Sequence, residues 1–323
     1  SSSSSSFFFF ILLSTFYSLT TFSSSQMIMH SLTRRLLSSP VLLLLLLLLY
    51  FHMLLWTTIA TPISTNPDIS SLLSFRNNLK DPSNSLLHWS ISDPSSPCSW
   101  TGVSCDEQNR VISLSLPSLS LQGNLSLDHL CDLKYLQHLD LHDNLLHGSL
   151  PPKMGSSLPS LQSLDLSFNL ISGPIPPPSF NGKLQKSLSS IALSGNSLSG
   201  PLPAELWEIS SLIAMDFSSN KLSGGLSPEV GNLTSLEYLD LDNNEFTGPV
   251  PRELGNLKSL TDLSLGQNSF TGSLPREIGG LTNLTNLYMA SCQLTGQLPP
   301  EIGGLGSLVK IDFTHNYLSG PIP

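Results

Sequence analysis

The sequence predicts an α/β solenoid whose strands stack into a parallel sheet along a concave side. The first observation is the sequence motif L-x-x-L-x-L-x-x-N-x-L-x-G-x-[IL]-P, which occurs nine times from Val111 to the last residue. The second is its steady period of 24 to 27 residues, typical of solenoids whose repeats bury their apolar faces against each other. The third is the period-two alternation of L-x-x-L-x-L, as in a half-buried strand. The repeats begin at Val111, Leu136, Leu161, Leu188, Leu212, Leu236, Leu260, Leu284 and Leu308.

This alternation assigns the two sides of each predicted strand. In repeat two, Leu139 and Leu141 should point into the core, and the residues between the leucines should face the concave solvent side. Full burial of one leucine contributes roughly 1.5–3 kcal/mol, so nine stacked repeats can form a stable rod.

An asparagine follows the predicted strand in seven of the nine repeats. A buried amide can both donate to and accept from the backbone of the turn where the chain leaves the strand, and leaving it unpaired would cost about 1–3 kcal/mol. We therefore predict a hydrogen-bonded ladder. Leu119 and Cys292 stand in its place in repeats one and eight, and we interpret Cys292 as a ladder substitute and not as a reactive thiol. The ladder residues are Asn144, Asn169, Asn196, Asn220, Asn244, Asn268 and Asn316.

Most repeats continue with Gly-x-[ILV]-Pro, and several then carry E-[LIV]-G-x-L. Glycine reaches backbone angles that are closed to other residues, and proline fixes φ. Segments such as Glu253–Gly255 are too short for an α-helix, which favours one or two 3₁₀ turns. Together with the 24-residue period, this pattern resembles the plant-type extracellular leucine-rich repeat over about two thirds of the chain. The resemblance implies a second short strand in each repeat and a right-handed superhelix.

Residues 1–60 contain two segments that we do not expect in the folded domain. Residues 1–26 are a low-complexity run of Ser and Phe without Met, which we do not take for the native N terminus. Residues 27–60 offer a start at Met27 or Met29, two arginines, a 16-residue apolar run and a small residue for cleavage, the order of a secretory signal peptide. The alternative is a membrane-retained signal anchor, although 16 residues fall short of the roughly 20 needed to span a bilayer.

Residues 61–110 are predicted to cap the open end of repeat one. Asp68 is a suitable helix N-cap after Pro67. Leucines at helical spacing continue to Leu79, and an Asp-Pro pair then ends the predicted helix.

The following segment, Cys98–Cys105, carries W-x-G-V-x-C and resembles the plant N-terminal leucine-rich-repeat cap. The resemblance implies a Cys98–Cys105 disulfide, which the oxidising compartment reached through a signal peptide permits. Trp89 and Trp100 can cover the open apolar face of repeat one. Two cysteines could instead bind a metal, but no second Cys/His pair with zinc spacing accompanies them, and Cys131 is expected to be a buried free thiol.

The fold class is therefore α/β, a plant-type leucine-rich-repeat right-handed solenoid with a parallel concave β-sheet and an N-terminal helical, disulfide-bonded cap. Its nine repeats occupy residues 111–323, and the last one is incomplete.

Charge and motif content exclude several classes of function. The net charge is −9 and only 11% of residues are charged, which argues against nucleic-acid binding and favours a basic partner. The sequence contains no Gly-rich phosphate loop, zinc-protease motif, nucleophile elbow or kinase signature, so we predict no catalytic residues, metal or cofactor. Sequons at Asn124, Asn232 and Asn283 avoid the ladder and are predicted to be exposed and glycosylated.

Function is expected at the outward-facing positions of the concave strands. Repeat two contributes two histidines and Asp140, with Asp143 beside them, and repeat six contributes Tyr238 and two aspartates, flanked by Glu237. We interpret these positions as an acidic groove with aromatic anchors for a basic peptide or small protein, since tyrosines are favoured at binding hot spots. The predicted ligand-binding residues are His138, Asp140, His142, Phe168, Tyr238, Asp240, Asp242 and Tyr288, and Asp216, Asp262 and Asp312 lie on neighbouring turns.

The alternative interpretation is that each aspartate is an ordinary solvated residue, because L-D-L at the strand centre is common in such repeats. Tyr238 and Tyr288 are the stronger candidates, because an aromatic ring on a concave surface has no core to fill.

The segments Val111–Gly123 and Asn286–Cys292 resemble those of plant leucine-rich-repeat receptor kinases of the excess-microsporocytes type. This resemblance implies a plasma-membrane receptor with an extracellular repeat domain, one transmembrane helix and a cytoplasmic Ser/Thr kinase. It also implies a secreted peptide or small Cys-rich protein as ligand, and a smaller repeat kinase as co-receptor.

The sequence ends inside the ninth repeat, before any terminal cap, membrane helix or kinase. An open solenoid end should be unstable, so we expect the chain to be part of a larger receptor that is anchored through a later segment. The alternatives are a secreted cell-wall protein similar to polygalacturonase inhibitors, and a repeat receptor-like protein without a kinase.

Overall fold

The computed structural model describes residues 67–90, 97–130, 132–151, 158–177 and 187–323. The predicted low-complexity segment, the signal peptide and Cys131 lie outside these residues. Within them, no helix has both the length and the apolar character needed to cross a lipid bilayer.

A ten-stranded sheet forms the concave side predicted from the period-two alternation. Its first strand comes from the cap and pairs antiparallel with the second, and the other pairings are parallel. In spatial order the strands are β1 (Val103–Cys105), β2 (Val111–Ser115), β4 (His138–Asp140), β6 (Ser163–Asp165), β8 (Ser190–Ala192), β10 (Ala214–Asp216), β12 (Tyr238–Asp240), β14 (Asp262–Ser264), β16 (Asn286–Tyr288) and β18 (Lys310–Asp312).

The second short strand of each repeat is confirmed. These strands form a nine-stranded parallel sheet beside the first. In chain order they are β3 (Gln122–Asn124), β5 (Leu145–Gly148), β7 (Leu170–Gly173), β9 (Ser197–Gly200), β11 (Lys221–Gly225), β13 (Glu245–Pro249), β15 (Ser269–Gly272), β17 (Gln293–Gly296) and β19 (Tyr317–Leu318).

Among the residues that the structure describes, short 3₁₀ turns complete repeat one and repeats four to eight, as predicted. One glycine explains the E-[LIV]-G consensus: a Cβ on Gly255 would lie 2.1 Å from the backbone oxygen of Glu277 in the next repeat. Only glycine therefore allows the turns to stack this closely. The 3₁₀ turns are Pro97–Ser99, Asp128–Leu130, Ala204–Glu208, Pro228–Asn232, Arg252–Asn256, Arg276–Gly280 and Pro300–Gly304.

The core is one continuous apolar column between the two sheets and the 3₁₀ turns. It consists of the inward leucines and a few larger residues, including Trp207 and the stacked pair Phe246 and Phe270, whose ring centroids are 6.1 Å apart. Burial of this column is the main source of the free energy that stabilises the repeats.

The seven ladder asparagines share one hydrogen-bonding pattern. Asn268 is typical: its Nδ2 donates to the backbone oxygens of Leu241, Leu265 and Gly266, and its Oδ1 accepts from the N–H of Phe246. In repeat eight, Cys292 Sγ contacts the oxygens of Leu265 and Ala290 at 3.4 and 3.8 Å. Each amide thus joins two consecutive repeats.

The cap begins with helix α1 (Pro67–Asn77), which corrects two predictions. Asp68 lies within the first turn and not before it, and its carboxylate accepts a hydrogen bond from the buried N–H of Val111 at 2.9 Å. The helix ends before Leu79, because Lys80 exchanges two backbone hydrogen bonds with Gln122 and so extends the chain along the second sheet.

The rest of the cap covers the edge of the concave sheet and the end of the core. The Cys98–Cys105 disulfide is confirmed, with Cα atoms 5.4 Å apart. Trp89 and Trp100 are buried and stacked, with ring centroids 5.3 Å apart. Because β1 pairs with β2 and Lys80 pairs with Gln122, the cap protects the first edge of both sheets.

Candidate ligand-binding surface

In each three-residue concave strand from β4 to β18, the first and third residues point outward and the second points toward the core. The parallel register aligns these positions, so Tyr238 stands between Ala214 and Asp262 on its neighbouring strands. In the same way Asp240 stands between Asp216 and Ser264. Outward side chains from different repeats are therefore neighbours although they are about 24 residues apart in sequence.

Around repeat six, the register brings together one tyrosine and four carboxylates, which we call the Tyr238 cluster: Asp216, Tyr238, Asp240, Asp242 and Asp262. The hydroxyl of Tyr238 donates to Asp240 Oδ2 at 3.2 Å, and the backbone N–H of Asp242 donates to Asp240 Oδ1 at 2.9 Å. Gln267 Nε2 donates to Asp242 Oδ2 at 3.0 Å. These bonds fix the orientation of the carboxylates at the surface.

The electrostatics of the Tyr238 cluster favour a cation. Burial, together with the charges of Asp240, Asp216 and Asp262, raises the pKa of Tyr238 well above its ordinary value, so its hydroxyl stays protonated. Burial also raises the pKa of Asp240, against the hydrogen bond from Asp242, and raises the pKa of Asp242, against the hydrogen bond from Gln267. A positive group bound here would offset both the desolvation and the mutual repulsion of the carboxylates.

A second group of outward side chains lies on repeats two and three, and we call it the His142 cluster: Asp140, His142 and Asp165. His142 Nδ1 lies 2.7 Å from Asp140 Oδ1 and 3.8 Å from Asp165 Oδ2, while Ser115 Oγ donates to Asp140 Oδ2 at 2.9 Å. Partial burial disfavours the charged imidazole, but the hydrogen bond to Asp140 and the fields of the nearby aspartates outweigh it and raise the pKa of His142.

The His142 cluster also has the donor types of a divalent-cation site, because one oxygen or nitrogen from each residue lies within 4.8 Å of the others. The hydrogen bond between His142 and Asp140 already pairs two of these three donors. The same positions of Asp140, His142 and Asp165 are also suited to a protonated imidazole between two carboxylates.

The structure distributes the predicted ligand-binding residues over four repeats. Asp140 and His142 meet in the His142 cluster, with His138 exposed on the same strand, and Tyr238, Asp240 and Asp242 meet in the Tyr238 cluster. With a strand spacing of about 4.8 Å, four strand steps place the two clusters about 19 Å apart. Tyr288 lies two strands beyond Tyr238, and Phe168 lies outside the strands, in the turn after β6.

Two residues of this surface were not predicted. Asp165 is aligned with Asp140 and could have been found from their identical places in the repeat. Gly195 lies against the ring of Phe168. This contact has no signal in the sequence, because it depends on the turn geometry of two repeats.

The three sequon asparagines are exposed. Asn232 lies in a 3₁₀ turn and Asn124 in β3 of the second sheet. Asn283 follows a 3₁₀ turn and donates to the backbone oxygen of Lys258 at 2.9 Å. None of the three is in a strand of the concave sheet.

Comparison with known proteins agrees with this architecture. The family "Leucine rich repeat N-terminal domain" matches residues 65–106. Leucine rich repeat families match residues 135–157, 160–181 and 234–294. The chain is 43% identical over 84 residues to the probable inactive leucine-rich repeat receptor kinase XIAO of Oryza sativa subsp. japonica. The matched segment covers 26% of this chain and 7% of that protein.

Two solved structures are similar over most of the chain. The ectodomain of GASSHO1/SCHENGEN3 from Arabidopsis thaliana, in complex with Casparian strip integrity factor 2, has a TM-score of 0.73 and 34% identity, covering 79% of this chain and 30% of that one. Arabidopsis HAESA, in complex with the peptide hormone IDA and the co-receptor SERK1, has a TM-score of 0.66 and 33% identity, covering 80% and 47%.

The chain therefore spans less than half of either receptor structure, and its match to XIAO and two other curated receptor-like kinases covers only 7–10% of their length. The matched segments are the cap and the repeats, which are binding modules and not catalytic domains. The chain is a plant-type leucine-rich-repeat solenoid with an N-terminal cap, and it is similar to the ectodomains of plant receptor kinases.

Proposed function

We propose that this chain is the extracellular, ligand-sensing part of a plant leucine-rich-repeat receptor-like kinase at the plasma membrane. It binds a secreted peptide or small Cys-rich protein on its concave surface and signals together with a co-receptor leucine-rich-repeat kinase. The similarity to HAESA, which forms a complex with a peptide hormone and a co-receptor, supports this class of partners.

The observation that carries the proposal is the one-sided charge of the concave sheet around an aromatic residue. Lys310 is the only lysine or arginine in the concave strands that the structure describes, whereas six of these strands contribute an outward aspartate. Tyr238 adds a ring that is 37% exposed and has no core to fill. A ligand with basic side chains fits this surface. The negative electrostatic field of the aspartates would increase its association rate.

The positions of the proposed glycosylation sites are compatible with a ligand on the concave sheet. Glycans on Asn124, Asn232 and Asn283 would extend from the second sheet and from the side of the 3₁₀ turns. The concave strands would remain accessible to a polypeptide.

The first experiment tests binding. The secreted full chain would be used to select from a phage library of linear random peptides of about ten residues, long enough to span the roughly 19 Å between the clusters at about 3.3 Å per residue. We expect selected peptides to be rich in Lys and Arg. Their affinity should fall about ten-fold or more with Tyr238→Ala or Asp240→Asn, because both changes remove interactions at the centre of the surface.

The matched controls are Tyr317→Ala, which removes an exposed tyrosine from the second sheet, and Glu301→Gln, which neutralises an exposed acid in a 3₁₀ turn. Both should leave the affinity unchanged. Selected peptides that bind all four variants like the wild type would contradict a binding site on the concave surface.

A second experiment separates a receptor from a simple binding protein. The chain would be fused to the remaining ectodomain, membrane helix and kinase of a plant receptor with a known output. A selected peptide should then cause phosphorylation only in cells that contain a co-receptor kinase. Binding without any phosphorylation would remove the receptor assignment and leave the binding surface intact.

A further inference from the structure

In each of the nine repeats, the turn that follows the concave strand has a residue with a left-handed backbone at the same repeat position. Its φ lies between +49° and +64° in all nine repeats. Glycine, asparagine and aspartate tolerate this conformation, whereas a bulky side chain is strained in it. The nine residues are Ser118, Asp143, Phe168, Gly195, Ser219, Asn243, Gln267, Ser291 and His315.

Phe168 is the exception in this series. It is the only large apolar residue of the nine, with φ at +52°, and 61% of it is exposed. Its side chain therefore gains little from burial while its backbone is strained. Side chains held in this way at the surface are found preferentially at functional sites.

Gly195 holds the ring of Phe168 in place. A Cβ built on Gly195 would lie 2.7, 3.0 and 3.3 Å from Cδ1, Cε1 and Cγ of Phe168. The ring thus packs against Gly195 in the next repeat, in space that only glycine leaves free. Any side chain at position 195 would displace the ring.

The surroundings of the ring are acidic. Asp143 occupies the equivalent turn position one repeat earlier, and Asp165 ends the strand that leads to Phe168. No lysine or arginine lies among the residues of these turns or of strands β4, β6 and β8. The imidazole of His142, 3.8 Å from Asp165, is paired with Asp140 at 2.7 Å. An exposed aromatic face beside carboxylates attracts a cationic side chain.

We propose that Phe168, held against Gly195, is a preformed platform on which a lysine or arginine side chain of the polypeptide ligand stacks. This site lies on repeats three and four, apart from the Tyr238 cluster, and it assigns a role to a strained residue. It rests on the proposed function insofar as the ligand is a polypeptide on the concave surface. Its chemistry, a cation over an aromatic face, is specific and separately testable.

The test measures the affinity of peptides selected on the wild-type chain. Phe168→Trp should keep the affinity, whereas Phe168→Leu, which is also apolar, should weaken it about 5- to 30-fold, the range expected for a desolvated cation–π contact. Gly195→Asn should have the same effect, because asparagine tolerates the left-handed backbone but displaces the ring. Ser219→Asn, the same kind of change one repeat later, is the control and should leave the affinity unchanged.

Replacement of each basic peptide residue by norleucine identifies the stacked cation. For one position, the loss should be at least about five-fold on the wild-type chain and absent on Phe168→Leu, which is the coupling that a double-mutant cycle detects. Melting temperatures provide the structural control: Phe168→Asn should melt at the same or a higher temperature than the wild type, since it relieves strain.

The outcomes distinguish the two proposals. If peptides depend on Tyr238 but bind Phe168→Leu like the wild type, the platform is wrong and the proposed function stands. If Phe168→Leu weakens binding but no basic position is coupled to it, Phe168 makes an apolar contact and the cation is wrong. If no peptide is selected on the wild-type chain, both proposals fail.

Discussion

Inward and outward residues alternate along the same concave strands. The inward residues are nearly constant from repeat to repeat, whereas the outward residues differ. The central inward residue is Leu, Ile or Met in every repeat from two to nine, and it is buried in all of them except repeat nine. The outward residues range from Ser and Ala to Asp, His, Lys and Tyr. The core can therefore stay constant while each repeat changes its surface independently, which is how a solenoid separates stability from recognition.

Polar groups show the same contrast. The ladder asparagines bond to backbone atoms, as Asn268 does in repeat seven. The outward aspartates bond at the surface, to neighbouring side chains and to the backbone N–H two residues further on, as Asp240 does to Tyr238 and Asp242. Loss of a ladder amide leaves backbone groups unpaired, whereas loss of an outward group exposes its partners to water, so their effects on stability should differ.

The largest effect is expected in the core. Phe246→Ala removes a fully buried ring that stacks on Phe270, and it should lower the free energy of unfolding by about 3–5 kcal/mol through lost burial and a residual cavity. Chemical denaturation measures this change. Tyr317→Ala, in an exposed tyrosine of the second sheet, should change stability by less than about 0.5 kcal/mol; equal losses for the two would contradict the core assignment.

The ladder should come next. Asn268→Ala leaves three carbonyl groups and the N–H of Phe246 without their amide partner, and we expect a loss of about 2–3 kcal/mol. Asn243→Ala, in an exposed neighbour whose side chain reaches only Ser219, is the control. An unchanged melting temperature for Asn268→Ala would show that water replaces the ladder without cost.

The disulfide should have a comparable or slightly smaller effect. Cys98→Ser with Cys105→Ser opens a short loop, for which loop-closure entropy predicts a loss of about 2 kcal/mol. The loss should appear as earlier thermal unfolding of the cap. Mass spectrometry of the secreted wild-type chain should find both thiols oxidised, and two free thiols would remove this stabilisation from the account.

The smallest effect concerns His142. Its pKa is raised in the folded chain, so the protonated ring contributes stability that is fully present below about pH 6.5 and is lost as pH rises through the folded-state pKa. Because the side chain is 38% exposed, solvent screening limits the contribution to a few tenths of a kcal/mol. The free energy of unfolding, measured by denaturation at about pH 6 and pH 8.5, should differ more between the two pH values for the wild type than for His142→Gln. The control His138→Gln should resemble the wild type. A pH dependence of stability that His142→Gln leaves unchanged would contradict this prediction.

Most of the fold follows from the repeat itself. The period defines the stack, the alternation defines the inward leucines, and the short E-[LIV]-G segments define the 3₁₀ turns. The cap was harder to predict, because the helix end at Asn77 and the contact from Asp68 to Val111 depend on pairing with a distant strand. Helix signals that are read locally cannot contain this information.

The surface was predictable only in part. Outward positions can be read from the alternation, and Tyr238 meets Asp240 because both are on one strand. The contact of Asp165 with His142 and of Phe168 with Gly195 joins different repeats, so it depends on the register and twist between them. Those quantities are set by packing and not by the residues of any single repeat.

The most direct test of the account is a hydrogen-exchange footprint of the full chain with and without a selected cationic peptide. We predict slower exchange in segments 212–220, 236–244 and 260–268, which contain the outward strands and turns of the Tyr238 cluster, and no change in the 3₁₀ turns or the second sheet. Protection confined to the second sheet or to the 3₁₀ turns would show that the ligand binds elsewhere and that the acidic concave surface is not the recognition site.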